Sequence, residues 1–207
     1  MSETSFLAVF LAVYGVILLF VLLFSLACYI LTSLGFYTLA KRRGIPQPGW
    51  AWVPIGGQRW IVGSLADQYA YLAEGKQKRQ RHLLLWLDIA CTAISAVFVA
   101  YMVNAAVAQF AYTSDAAVAS LVAGALGGYF LLLVLAVVLA VFYYIALYKV
   151  YKSCDPKNAT LFLVLSIVVS VTLPFFVFFS RKKDLGMPPA PPAGDQAEAL
   201  GEGPGAQ

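Results

Sequence analysis

Three polar side chains stand inside a long apolar stretch of this 207-residue sequence and are the first candidates for chemistry. Asp88 is the only formal charge between Leu83 and Ser114, and Asn104 and Gln109 follow it in the same stretch. An ionisable group in apolar surroundings binds a proton or a cation, or pairs with a basic residue. We expect Asp88 to pair with Arg81, seven residues earlier on roughly the same helix face. Asn104 and Gln109 are expected to form hydrogen bonds between helices.

Patterns of known catalytic and metal-binding sites are not found in the sequence. His82 is the only histidine, so no Ser/His/Asp arrangement, His-rich metal site or HExxH motif can be built. GxSxG, phosphate-binding glycine loops and CxxC do not occur either. A membrane aspartyl enzyme needs two opposed acids, and Asp88 is the only candidate. We therefore predict no catalytic residues, no metal and no cofactor, and a protein that is not an enzyme.

The composition excludes a water-soluble fold. Hydrophobic residues make up 61% of the chain and charged residues 12%, whereas globular proteins carry roughly 25% charged residues. The formal net charge of +4 comes from 14 basic and 10 acidic residues in short clusters, which disfavours nucleic acid as a partner. The lipid bilayer is the predicted partner.

Four long apolar stretches predict an all-α, polytopic membrane helical bundle, with four hydrophobic helices and one interfacial amphipathic helix. The predicted spans are residues 6–31, 83–110, 118–147 and 159–180, within a membrane domain of residues 1–184. The Pro/Ala/Gly-rich tail, residues 185–207, has no apolar periodicity and is predicted to be disordered.

The distribution of Lys and Arg predicts the orientation of the bundle. Residues 41–82 contain eight basic residues and residues 149–157 contain three, so both segments are expected in the cytoplasm and the N-terminus outside. The fourth span is ambiguous. A full crossing, the favoured prediction, places the basic residues of 181–183 outside, whereas a return near Pro174 keeps all 14 basic residues inside.

The segment between the first two spans, residues 41–82, is predicted to be a cytoplasmic interfacial hairpin. Prolines 46 and 48 cannot continue a helix. Trp50, Trp52 and Trp60 are aromatic amphiphiles that favour the headgroup level. From Gln58 to Ala73 the apolar residues return to helical spacing, which predicts an amphipathic helix on the inner leaflet. A plain linker beneath the bundle is the alternative.

Small residues recur at multiples of four along the third predicted span. Ser120, Gly124 and Gly128 form a groove that lets another helix approach closely, and Gly124 to Gly128 matches GxxxG. The groove packs either against a helix of the same chain, which we expect, or against a second copy in a homodimer.

Two motifs resemble those of a group of uncharacterised small multi-pass membrane proteins of bacteria, often Gram-positive ones. The motifs are Lys41-Arg42-Arg43-Gly44-Ile45-Pro46 with Trp50-Ala51-Trp52-Val53-Pro54-Ile55, and Tyr148-Lys149-Val150-Tyr151-Lys152-Ser153-Cys154-Asp155-Pro156-Lys157-Asn158-Ala159 with Arg181-Lys182-Lys183-Asp184. The resemblance covers residues 34–189 and implies a bacterial inner-membrane location but no activity. The group often has an Asn shortly after the Pro-Ile pair, where Gly56-Gly57-Gln58 stand here.

We predict a non-catalytic accessory or scaffold protein that binds other membrane proteins or itself. The alternative is a small transporter or channel that acts as an oligomer. A continuous polar cavity containing the three polar residues of the second span would favour transport.

Overall fold

The computed structural model describes residues 3–75, 79–111 and 115–188, and every regular element in these ranges is helical. The elements are α1 (Glu3–Arg42), a 3-10 helix (Pro48–Trp52), α2 (Gly57–Glu74), α3 (Gln80–Ala111), α4 (Asp115–Cys154), α5 (Ala159–Val168) and α6 (Thr172–Ser180). Helices α1, α3 and α4 are long enough and apolar enough to cross a membrane. The all-helical class and three of the predicted long helices are therefore confirmed.

The prediction of one continuous helix over residues 159–180 is wrong. Helix α5 ends at Val168 and α6 begins at Thr172, and the Val169 amide bonds back to the Leu165 carbonyl at 2.8 Å. The chain breaks before Pro174, not at it, because this proline is the third residue of α6. A proline in the first turn of a helix removes no intrahelical hydrogen bond.

The α5–α6 hairpin enters and leaves the bundle at one end. After α6, the Leu185 and Gly186 amides donate to the carbonyls of Cys154 and Ser153, just before α5, at 3.2 and 3.1 Å. Both ends of the segment are therefore joined, and the favoured full crossing is wrong. We call this end, where α1 and α4 finish and α3 begins, the basic end.

Helix α6 runs parallel to α1. Gly35 of α1 lies against Val177 of α6, and Arg42 pairs with Asp184, which follows α6, so the same separation of 142 residues holds at both contacts. This register places the turn between α5 and α6 level with Cys28 of α1.

The chain also turns back after α1. Gln58 bonds to Ser33 at 2.9 Å and Gln68 bonds to the Arg43 carbonyl at 3.0 Å, a constant separation of 25 residues. Helix α2 therefore runs parallel to the last turns of α1. For this to happen, residues 43–56 must first run back along α1, away from the basic end, and we call them the first returning segment. The Trp52 carbonyl accepts a hydrogen bond from Tyr29, 13 residues before the end of α1, or about 20 Å along it. The α5–α6 hairpin is the second returning segment. Both returning segments extend along α1 to about the level of Cys28 and Tyr29.

Helix α2 does not lie on the outside of the bundle, which corrects the prediction of an interfacial amphipathic helix. It packs between α1, α3 and α4, and Ile61, Val62 and Leu65 are fully buried. The sequence suggested a face in water because Arg59, Asp67 and Gln68 are polar. In the fold Arg59 and Asp67 find partners on α3, and the side-chain amide group of Gln68 donates to the Arg43 carbonyl, so neighbouring segments replace water for these groups.

The packed core lies toward the basic end. Only the last turns of α1 belong to it, and the earlier part of α1 extends beyond it. Helix α1 meets the rest of the bundle through α2, the 3-10 helix and α6. Its large apolar side chains from Val9 to Leu26 are all exposed. Far from the basic end, α1 and the α3–α4 pair are therefore separate.

Helices α3 and α4 form an antiparallel pair through the small-residue groove. Gly124 lies against the Tyr101 ring and Gly128 against the Phe98 ring, so a side chain at either glycine would overlap a ring. The groove is thus filled from the same chain, while Ser120 is exposed. A homodimer seam stays a prediction.

Gly128→Val should destabilise the α3–α4 pair, because its side chain has to displace Phe98. Overpacking of this kind costs about 1–3 kcal/mol, so the thermal unfolding midpoint of the purified protein in detergent should fall by several degrees. Gly127→Val is the matched control, since open space surrounds that glycine. Equal midpoints for the two variants would contradict the packing described here.

Candidate functional site

A buried ion pair joins α2 to α3. Arg59 Nε lies 2.9 Å from Asp88 Oδ1, and the Gly56 amide donates to Asp88 Oδ2 at 2.6 Å. Asp88 is 7% exposed and both of its carboxylate oxygens are engaged. The predicted pairing with Arg81 is wrong, because the Nε of Arg81 bonds to His82 instead. The partner of Asp88 comes from 29 residues away in the sequence.

Two glycines let α2 begin beside Asp88. Gly56 has a φ of 76°, a backbone conformation that favours glycine. At Gly57 a side chain would overlap the Trp50 carbonyl and the Val53 side chain. The chain therefore passes from the 3-10 helix into α2 within a turn that only small residues permit. This brings the Gly56 amide and the positive end of the α2 dipole to the Asp88 carboxylate.

The same arrangement recurs, reversed, at the other end of α2. Asp67 on α2 accepts hydrogen bonds from the backbone amides of Gln80 and Arg81, at 3.0 and 3.1 Å. These amides are the first of α3. Burial raises the pKa of Asp67, opposed by the two amides and by the positive charges of Arg81 and Lys149. Helices α2 and α3 therefore cap each other's N-termini with a carboxylate.

Arg59 also reaches α4. Its guanidinium carbon lies 5.4 Å from the centroid of the Tyr143 ring, a cation–π contact. The side chain is 35% exposed. In the part of the chain that the structure describes, the two Nη groups of Arg59 donate to no hydrogen-bond acceptor. One side of this guanidinium is therefore open.

A second polar cluster closes the basic end. The Arg43 side chain, 4% exposed, lies 2.9 Å from Asp184, and it donates to Ser153 Oγ at 2.8 Å and Cys154 Sγ at 3.4 Å. Arg42 pairs with the other oxygen of Asp184 at 2.5 Å. We call these residues, with the amides of 185 and 186, the clasp. The clasp joins the ends of α1, α4 and α6.

The loop between α4 and α5 is held beside the clasp by Asp155. Its carboxylate accepts hydrogen bonds from Asn158 at 3.1 Å and from Lys183 at 3.4 Å. These hydrogen bonds, that of Asn158 foremost, hold the pKa of Asp155 below its ordinary value. Asp155 therefore stays ionised.

The predicted polar residues of the second span do not meet. Asn104 donates to the carbonyl of Ala100 in its own helix at 2.9 Å and is exposed. It lies 16 residues beyond Asp88, about 24 Å along α3. The side chain of Gln109 falls outside the described part of the structure. Asp88 and Asn104 therefore do not line a common cavity.

The three predicted interfacial tryptophans lie in or beside residues 43–56, the segment that runs back along α1. Trp50 and Trp60 lie with ring centroids 5.7 Å apart, and Trp50 and Trp52 are 39% and 41% exposed. The tyrosine bond to the Trp52 carbonyl places them well away from the basic end. They surround the start of α2, close to Arg59.

Comparisons with known proteins add no relative to this description. No protein-family model matches the chain, and neither the curated proteins nor the solved structures gave a match. Within the described residues, no three His, Cys, Asp or Glu side chains are grouped as metal ligands would be.

A double-mutant cycle measures the coupling of Arg59 to Asp88. Asp88→Asn can still accept the Gly56 amide but leaves the guanidinium without its counter-charge. We expect it to lower the free energy of unfolding by about 2 kcal/mol, less than the ~3–5 kcal/mol of fully buried pairs because Arg59 is partly exposed. The double variant Arg59→Gln/Asp88→Asn should cost less than Asp88→Asn alone.

Unfolding of each variant in mixed detergent micelles gives the four free energies of the cycle. A double variant whose cost equals the sum of the single costs would show that the two side chains are independent. That result would contradict the ion pair.

Proposed function

We propose that this protein is a membrane-embedded accessory protein that binds a transmembrane helix of another membrane protein through the free part of α1, residues 9–26. Helices α1, α3 and α4 cross the membrane, the basic end faces the cytoplasm and the N-terminus lies outside. The resemblance of the Lys41–Ile55 and Tyr148–Asp184 motifs to small bacterial membrane proteins favours the bacterial inner membrane.

The distribution of basic residues supports this orientation. The return of α6 brings residues 181–183 to the same end as Lys41, Arg42 and Arg43, and Lys152 and Lys157 lie there too. Basic residues concentrate on the cytoplasmic side of membrane proteins. A fourth crossing would have left the 181–183 cluster on the other side.

The proposed function depends on one observation: residues 9–26 of α1 have no neighbouring helix among the residues that the structure describes. Its large apolar side chains, such as Phe20 at 70% exposure, are open all round, while α3 and α4 pack against each other. Helices associate in lipid through close packing rather than through hydrophobicity. A helix fixed at one end and open at the other offers its whole circumference to a partner helix.

Asp88, Ser33 and Asn104 form their hydrogen bonds within the protein, which favours partner binding over transport. Asp88 is used by Arg59 and the Gly56 amide, and Ser33 by Gln58. The Asn104 side chain is turned back onto its own helix. Asp88 and Ser33 therefore hold neighbouring elements together, and Asn104 is bonded within α3, so these groups are not arranged as a path for a polar solute.

A small transporter or channel is the second candidate, and the two returning segments favour it. Non-helical backbone such as residues 43–56 is tolerated in a membrane where protein buries it or where it lines a cavity. Broken helices of this kind form the substrate sites of many transporters. Here Tyr29 and α2 partly cover residues 43–56, which favours burial by protein over the lining of a cavity.

Cysteine accessibility in intact cells tests the orientation. On a Cys-free background, a single Cys at Ser114 should react with a membrane-impermeant maleimide, and one at Leu185, which is 75% exposed, should react only after permeabilisation. The clasp holds residue 185 at the basic end, so both results follow from one arrangement. External labelling at 185 would contradict the returning hairpin.

Photo-crosslinking along α1 tests partner binding. A photoreactive amino acid placed singly at each position from Val16 to Phe24 should give a protein adduct of constant size with a period of about 3.6 residues, since a partner helix covers one face. The same residue at Leu126 of α4, 66% exposed, is the control and should give lipid adducts. Lipid adducts alone along α1 would contradict the proposal and leave transport as the better candidate.

A further inference from the structure

We infer that Arg59 binds the phosphodiester group of a phospholipid from the cytoplasmic leaflet. A guanidinium has five N–H donors and no acceptor. Its Nε lies at Asp88 Oδ1, 2.9 Å away, and the Nη groups, with four N–H donors, meet no acceptor among the described residues.

Apolar side chains are exposed on the elements that flank Arg59. On α3, at the level of its partner Asp88, the exposed side chains are Leu83, Trp86 and Ile89, with Trp86 66% exposed. On the segment leading into α2, Val53 and Ile55 are exposed as well. Such a surface faces lipid when the bundle lies in a membrane. An N–H group that loses water and gains no acceptor is strongly unfavourable in apolar surroundings, so these N–H groups require a ligand with acceptor oxygens.

The position of Arg59 along the bundle identifies the source of these oxygens. The register between α1 and α2 places Arg59 level with Leu34, eight residues before Arg42, or about 12 Å from the basic end. A long arginine side chain extends its charged group toward the headgroups while its stem stays in hydrocarbon. The phosphate layer of the cytoplasmic leaflet is therefore the nearest set of acceptors.

The geometry and charge of the site fit a phosphodiester. The Nη groups form a planar fork that matches two oxygens of one phosphate. Asp88, which pairs with Nε, and the Tyr143 ring, which lies against the guanidinium, fix the orientation of the guanidinium. Because Asp88 already neutralises Arg59, the site recognises the phosphate common to all phospholipids and does not select an anionic headgroup.

Lipid retention by the purified protein tests the inference. Native mass spectrometry in mild detergent should show about one bound phospholipid fewer per chain for Arg59→Lys than for the parent protein, because an ammonium keeps the charge but lacks the fork. Arg181→Lys is the matched control, since this arginine lies on an aromatic ring, Phe178, at 3.7 Å near the basic end. It should retain as much lipid as the parent. Equal retention by Arg59→Lys and the parent would overturn the inference.

A second arm distinguishes lipid from free phosphate. A short-chain phosphatidylcholine should raise the thermal unfolding midpoint of the delipidated parent but not that of Arg59→Lys, whereas inorganic phosphate should raise neither. A shift with inorganic phosphate that is lost in Arg59→Lys would assign the site to a free anion and overturn the lipid assignment. If Arg59→Lys does not fold, Arg59→Gln/Asp88→Asn, which leaves no uncompensated charge, replaces it in both arms.

The inference rests on the embedding of the bundle in a membrane but not on partner binding by α1. Crosslinks along α1 report on the partner, and lipid retention reports on Arg59. Failure of either leaves the other intact.

Discussion

The first amides of a helix have no acceptor within the helix. This fold depends on the two carboxylates that accept hydrogen bonds at the starts of α2 and α3. Helix α2 begins within the bundle and α3 begins at its basic end, and the first N–H groups of each need acceptors. Asp88 accepts from the start of α2, and Asp67 accepts from the start of α3. Each carboxylate stands on the helix that the other one caps. The exchange fixes the antiparallel register of the two helices, and it lets α2, although rich in polar residues, occupy the centre of the packing.

Once α2 is central, the rest of the bundle is arranged around it. Helix α1 is aligned by Gln58 and Gln68, and α4 is met by the guanidinium of Arg59 over the Tyr143 ring. On its other side α1 receives α6, whose end is tied to α1 and α4 by the clasp. Arg43, just after α1, and Asp184, just after α6, are in direct contact although 141 residues separate them in the sequence.

The sequence predicted α1, α3 and α4 because long charge-free stretches leave few alternatives to a helix of that length. The fourth stretch misled because its apolar composition is the same for one helix or two. A usable signal was the run of residues 167–172, mostly β-branched and poor in helix propensity, which contains the observed break. The partner of Asp88 could not be predicted, since Arg59 approaches only through the turn at Gly56. Likewise the amphipathic pattern of α2 shows that some residues need polar partners, but not whether water or protein provides them.

The clasp also has a consequence for biosynthesis. Arg43 emerges from the ribosome early, whereas Asp184 and the amides of residues 185 and 186 follow about 140 residues later, roughly ten seconds or more at ordinary translation rates. Until then α1 is not joined to α4, and Arg43 lacks the partners that bury it. A chain that ends before residue 184 therefore keeps its basic end open. Such a product exposes a buried arginine and the bare carbonyls of Ser153 and Cys154, the kind of defect that membrane proteases and chaperones detect.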